Sequence, residues 1–293
     1  MKIFIKIIFI ATCFIFLCDK AEAVTVRLEY PFVNSFDKSD SIKTSISILK
    51  DEIKKSPENY NLHFVLGELL IMQKDFDKAK EEFLNVLKMK PDHYLSYITL
   101  GYITLEVQNK PQDAIDYFEK AVQYAPDKAV VYNTFAIAYI LSNKFREAVD
   151  VLEKGIQRIE NDESLYFNQT LILLEYFEGD EAGEKVIRNM EKAIRLSPKE
   201  EYYFILGNYY LSKKNNDKAK NAFEHTIKIN SKNVYAILGV ATTYKNAHAY
   251  EKAIDLANDA LKIEPNNADI QKEIEEYKEE YKRWKEKQLI PHP

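Results

Sequence analysis

Cysteine is nearly missing from this chain, with Cys13 and Cys18 the only two in 293 residues. Both fall in the first 23 residues, so a chain starting near Val24 could form no disulfide, thiolate metal site or cysteine nucleophile. Glycine is scarce too, at seven, which argues against a turn-rich β fold and against a phosphate-cradling loop. Residues 179–185 have neither the glycine spacing nor the Lys-Ser/Thr ending of a P-loop. Basic runs without matching acids are absent: 41 Lys and Arg face 46 Asp and Glu, a net charge of −5. Nucleic acid is therefore excluded as an expected partner. The five histidines, 63, 93, 225, 248 and 292, are scattered without a metal-binding spacing, and no Gly-x-Ser-x-Gly elbow occurs. The expectation is a chain with no catalytic residues, no metal site and no small-molecule cofactor.

The chain does have apolar content of 46% and charge of 30%, the balance of a folded protein. Its start reads as an export signal. Lys2 and Lys6 precede an apolar run over residues 7–18, and Ala21-Glu22-Ala23 offers a small-x-small cleavage site. The expected location is outside the cytoplasm, periplasmic or secreted after cleavage near Ala23. The alternative is membrane anchoring, through an uncleaved signal or a lipid on Cys13 or Cys18.

Beyond the signal, the sequence repeats itself. Gly67 is followed by Ala79, Phe83 and Pro91, and Gly207 by Ala219 and Phe223 at the same intervals. Ala136 pairs with Ala148, and Ala241 with Ala253, again twelve apart. Gly101 to Ala114 is one residue longer and continues to Phe118 and Pro126. Prolines 57, 91 and 126 lie 34 and 35 residues apart. A period of this length indicates stacked helix pairs, in which a small residue lets two helices approach and proline ends the second one.

These residues resemble the tetratricopeptide repeat, whose pattern runs W-x2-L-G-x2-Y, then A-x3-F, then P. His63, Leu66, Gly67, Leu70, Ala79, Phe83 and Pro91 fill the slots of the first unit, and Tyr97, Leu100, Gly101, Ala114, Phe118 and Pro126 those of the second. The fourth unit fits least: Thr170 takes the glycine slot, and about four extra residues are expected in a long, acidic turn around Glu175, Glu178, Asp180, Glu181 and Glu184. The resemblance implies an all-α, right-handed superhelical solenoid. The expected organisation is a signal peptide at 1–23, a linker at 24–40 and a capping half-repeat at 41–57. Six repeats then fill 58–267 (60–93, 94–128, 129–162, 163–199, 200–233 and 234–267), before a capping helix at 268–287 and a tail at 288–293.

The family's first helices line a groove that takes peptides. Carried over position by position, this groove comprises Phe64, Glu68, Ile98, Tyr102, Asn133, Ile137, Phe167, Leu171, Phe204 and Asn208, with Leu238 and Thr242 beyond. It is mostly apolar, with Asn133 and Asn208 placed to bond a peptide backbone. No Lys or Arg occupies these positions, so the resemblance does not extend to a carboxylate clamp. The expected function is a protein- or peptide-binding scaffold of the cell envelope or of secretion. The alternatives are a self-associating structural protein and a membrane-anchored lipoprotein scaffold.

Overall fold

The computed structural model of the chain describes residues 40–107 and 110–289. The signal and the linker proposed for residues 1–39, and His292, lie outside these. Among the described residues there are α-helices, one short π-helical stretch and no strand. No helix among them is long and apolar enough to cross a membrane.

The helices are α1 (Asp40–Lys55), α2 (Tyr60–Met72), α3 (Phe76–Met89), α4 (Tyr94–Tyr102), α5 (Pro111–Tyr124), α6 (Ala129–Leu141), α7 (Phe145–Arg158) and α8 (Glu163–Tyr176). They continue as α9 (Asp180–Leu196), α10 (Glu200–Ser212), α11 (Asn216–Ile229), α12 (Val234–Asn246), α13 (Tyr250–Ile263) and α14 (Ala268–Gln288). The chain divides into two compact units, Met1–Gly183 and Glu184–Pro293, so that the boundary falls within α9.

In the first unit α2 packs on α3, α4 on α5 and α6 on α7, and each pair rests on the next. The contact between paired helices is set by glycine. A Cβ added to Gly67 would lie 2.8 Å from Phe83, and one on Gly101 2.7 Å from Phe118. Both rings are essentially inaccessible to solvent. The ring occupies the volume that a side chain on the facing helix would need. Where the first helix carries Ala136 instead, the residue sixteen later is the smaller Leu152, and both are buried. The sequence thus trades volume between two positions one helix apart.

A second device ties several helices to the turn before them. In α2, α4, α6, α8 and α14 the fourth residue reaches back six residues to a carbonyl at the preceding turn. Tyr97 donates to the Pro91 carbonyl at 3.1 Å, Tyr132 to Pro126 at 3.0 Å and Tyr166 to Glu160 at 3.0 Å. His63 places Nε2 3.0 Å from the Pro57 carbonyl, and Gln271 in the second unit donates to Pro265 at 3.2 Å. These bonds satisfy carbonyls left open where the helix ends.

The turns within pairs also recur. Lys74, Asn143, Lys214 and His248 have φ of 61°, 57°, 57° and 59°. In each case the next residue's N–H bonds a carbonyl five residues back, as Asp75 does to Leu70 and Asn215 to Tyr210, both at 2.9 Å. This is the left-handed helix stop, made here without glycine. The turn from α8 to α9 has Gly179 at φ 100°.

The extra residue between Gly101 and Ala114 is absorbed by the helix itself. The stretch Ile103–Val107 is π-helical, a turn that accommodates one added residue without breaking the helix. The four extra residues expected in the fourth turn take a different course. Only residues 177–179 separate α8 from α9, and α9 is 17 residues long where its counterparts have 14. The expectation of a long turn is thus corrected. Asp180 and Glu181 instead occupy the first turn of α9, where carboxylates oppose the helix dipole favourably.

The second unit pairs α10 with α11 and α12 with α13, and closes with α14 against α13. Phe223 is gripped from both sides, since a Cβ on Gly207 or Gly239 would approach it to 2.7 or 2.6 Å. Ile270, Ile274 and Tyr277 of α14 are buried in this unit's core. Trp284 stacks on His248 at 6.1 Å and lies beside Tyr250 and Tyr281.

Candidate functional site

In the first unit the residues expected in the groove fall into three groups. Phe64 packs edge-on against Phe83 at 5.6 Å and His93 at 4.8 Å, and is half-buried. It contributes one flank to the site and the rest to the core. Phe167 and Leu171 are only 8% and 2% exposed. They are therefore corrected from groove residues to core residues: the helical period finds their face but not whether a neighbouring helix covers it.

Asn133 is also engaged by the protein. Its amide donates to Ser164 at 2.8 Å, its carbonyl accepts from Asn168 at 2.9 Å, and Asp162 accepts from the Ser164 backbone N–H at 3.0 Å and from its hydroxyl. The side chain expected to read a ligand's backbone instead ties α6 to α8. The same bond occupies Asn168 of the Asn168-Gln169-Thr170 sequon, whose other two residues are buried.

Glu68, Ile98, Tyr102 and Ile137 remain at least partly open. They lie on the faces turned away from Leu66, Gly67 and Leu70 and their counterparts, which pack inward. One helical turn beyond Glu68 and Ile137, on the same faces, come Met72 and Leu141, exposed by 57% and 48%. Val107 holds the corresponding place after Tyr102, at 44%. It follows Tyr102 by five residues rather than four, because the π-helical turn moves the register by one. Met72, Val107 and Leu141 are thus 35 and 34 residues apart and form an apolar stripe at the repeat period. Sequence reading missed this stripe; the signal was a large apolar residue recurring at the repeat period, at positions 72, 107 and 141.

Glu68 is the charged member of this face. No hydrogen bond or ion pair forms on its carboxylate among the described residues. The group meets solvent on one side and protein on the others, and this desolvation lifts it to about 7.

In the second unit Phe204 packs on Phe223 at 5.9 Å and is half-buried. Asn208 is half-buried and makes no hydrogen bond among the described residues. Leu238 is buried, correcting it to a core residue. Thr242 is covered by α14: its hydroxyl shares a 2.9 Å hydrogen bond with Tyr277, which donates in turn to Glu273. Burial, and then the Glu273 carboxylate, raise the Tyr277 phenol well above its ordinary value.

The histidines among the described residues pack against or bond to their neighbours. His63 Nδ1 lies 2.6 Å from Glu82, His93 caps α4 and His225 stacks on Tyr203 at 4.9 Å. Among the described residues no group of His, Cys, Asp or Glu is arranged to hold a metal ion.

Comparison with known proteins agrees with this architecture. Profiles of the tetratricopeptide repeat match residues 66–130, 108–168 and 200–233. A TPR repeat-containing protein of Methanocaldococcus jannaschii is 24% identical over 243 residues, which is 74% of this chain and 42% of that protein. The chain thus spans less than half the length of that relative. Among solved structures, the C-terminal part of a TPR repeat-containing protein from Cytophaga hutchinsonii superposes with a TM-score of 0.66 at 14% identity, over 79% of this chain and 94% of that one. YrrB, described as a TPR protein with an unusual peptide-binding site, gives a TM-score of 0.52 at 20% identity, over 64% and 95%. At these identities the structural likeness speaks for the fold alone. By its repeat period, its helix pairs and these matches, the chain belongs to the tetratricopeptide repeat family.

Proposed function

We propose that this protein is a non-catalytic scaffold that holds an apolar segment of a partner protein against the open face of its first unit. The carrying observation is the stripe of Met72, Val107 and Leu141, exposed at the repeat period beside Ile98 and Ile137. Single exposed apolar residues are ordinary on a folded surface, whereas apolar patches mark contact sites, so the shared repeat position of these three carries the reading. The peptide-binding site named for YrrB supports the reading by analogy of fold. Work outside the cytoplasm, in the cell envelope or in secretion, is part of the same proposal and rests on the signal-like residues 1–23.

Photo-crosslinking in cells tests both parts. A crosslinker at Ile98 should capture a discrete partner band that one at the outward-facing Lys120 does not. Fractionation should find the protein in the exported fraction, with an N-terminus near Val24. Equal capture from both positions removes the binding face, and a cytoplasmic protein with an intact Met1 removes the export claim.

A further inference from the structure

We infer that Glu68 makes the open face of the first unit selective for an apolar partner segment carrying one lysine or arginine. This deepens the function proposed above and rests on it. Glu68 and Met72 are four residues apart on α2 and share a face. A bound segment that covers Met72 therefore brings its neighbouring side chain to the Glu68 carboxylate. The other face positions identified, Ile98, Tyr102, Val107, Ile137 and Leu141, carry no ionic charge at neutral pH.

That carboxylate has no partner among the described residues. Nearby, Asp51 pairs with Lys54, Glu52 with Lys55, and the cap residue Asp75 with Lys78. No lysine of α1 or α3, nor His93, Tyr97 or Tyr102 around α4, acts on Glu68. A partner that covered it with apolar atoms would strip its remaining water and strand a charge. An acidic partner residue would add repulsion. A single cation flanked by apolar residues meets the stripe and the carboxylate together, which makes charge complementarity the basis for choosing this occupant.

The test is selection from a random library of twelve-residue peptides displayed on phage, with the purified full-length protein as bait. The wild type should enrich apolar peptides with Lys or Arg at one fixed place. Glu68→Gln should keep the apolar preference and lose the basic one, and Glu68→Lys should exchange it for Asp or Glu. Circular dichroism checks that both variants fold. For a selected lysine peptide, wild-type affinity should fall about tenfold between pH 8 and pH 6, because the carboxyl titrates near 7. With Glu68→Gln the affinity should stay level across that range. Apolar enrichment without a basic preference overturns the selectivity but leaves the binding face standing. A selection that enriches nothing counts against both. Concentration-dependent dimers abolished by Glu68→Lys would assign the face to a second copy of this chain and overturn the inference as well.

Discussion

The two units present different surfaces at equivalent positions of the same repeat. In the first three repeats of the first unit the thirteenth residue of the leading helix is Met72 in α2 and Leu141 in α6, with Val107 in the matching place beyond the π-helical turn, whereas in α8 it is Glu175. In α10 and α12 of the second unit it is Ser212 and Asn246. Both of these are exposed, and Asn246 donates to Asn216 at 3.0 Å. In the second unit the face is also partly closed by its own chain, since Tyr277 of α14 bonds Thr242. One architecture therefore supports an apolar face ready for a partner and a polar face finished by a terminal helix. The difference lies in side chains at one repeat position, not in the backbone that displays them.

The cover on the second unit can be removed. Tyr277→Ala deletes a buried ring and its hydrogen bonds, and should cost about 3–5 kcal/mol in urea unfolding followed by Trp284 fluorescence. Met72→Ser, on the open face of the first unit, should change stability by less than about 0.5 kcal/mol. Equal costs for the two would contradict the contrast.

The glycine contacts give the next effect. Gly207→Ala must push against Phe223, costing about 1–3 kcal/mol from overpacking and regaining about 1 from helix propensity. Adding Phe223→Leu should recover part of the loss, because Leu152 already serves a repeat whose small residue is Ala136. Thermal unfolding of the double variant checks this coupling. If Phe223→Leu made Gly207→Ala worse, the volume exchange between facing helices would be wrong.

The helix stops should respond similarly in both units. Lys74→Gly and Lys214→Gly each relieve a left-handed residue and should raise stability by about 0.5–1 kcal/mol in urea unfolding.

The smallest effect concerns pH. Glu68 holds its proton up to about 7 in the folded chain, against the ordinary 4.5. The folded state therefore binds more protons than the unfolded one between these values, and stability declines as pH rises through that window. Glu68→Gln should raise Tm slightly at pH 8 and leave it unchanged at pH 4. The solvent contact of this side chain keeps the difference small.

The helix pairs were readable in the sequence because glycine and phenylalanine at fixed intervals have few other uses in a helix. Gly67 with Phe83 and Gly207 with Phe223 show the packing directly. The fate of inserted residues was not readable. One became a π-helical turn before Pro111, and those of the fourth unit lengthened α9, since backbone hydrogen bonds can absorb an insertion in either way. The site was legible in part. Periodicity placed Glu68, Ile98, Tyr102 and Ile137 on an open face, but it also placed Phe167 and Leu171 there, and these are buried. A helical face is a property of one segment, whereas burial depends on residues far away in the sequence. Asn133 illustrates the same limit: its partners, Ser164 and Asn168, are 31 and 35 residues on.

The near-absence of cysteine allows the most direct measurement. With Cys13 and Cys18 changed to serine, single cysteines at Met72, Leu141 and Ser212 can each be labelled with a maleimide, with and without a selected partner peptide. Protection at positions 72 and 141 while 212 reacts at its original rate is the expected result. Unchanged labelling at 72 and 141, or protection confined to 212, would contradict the account.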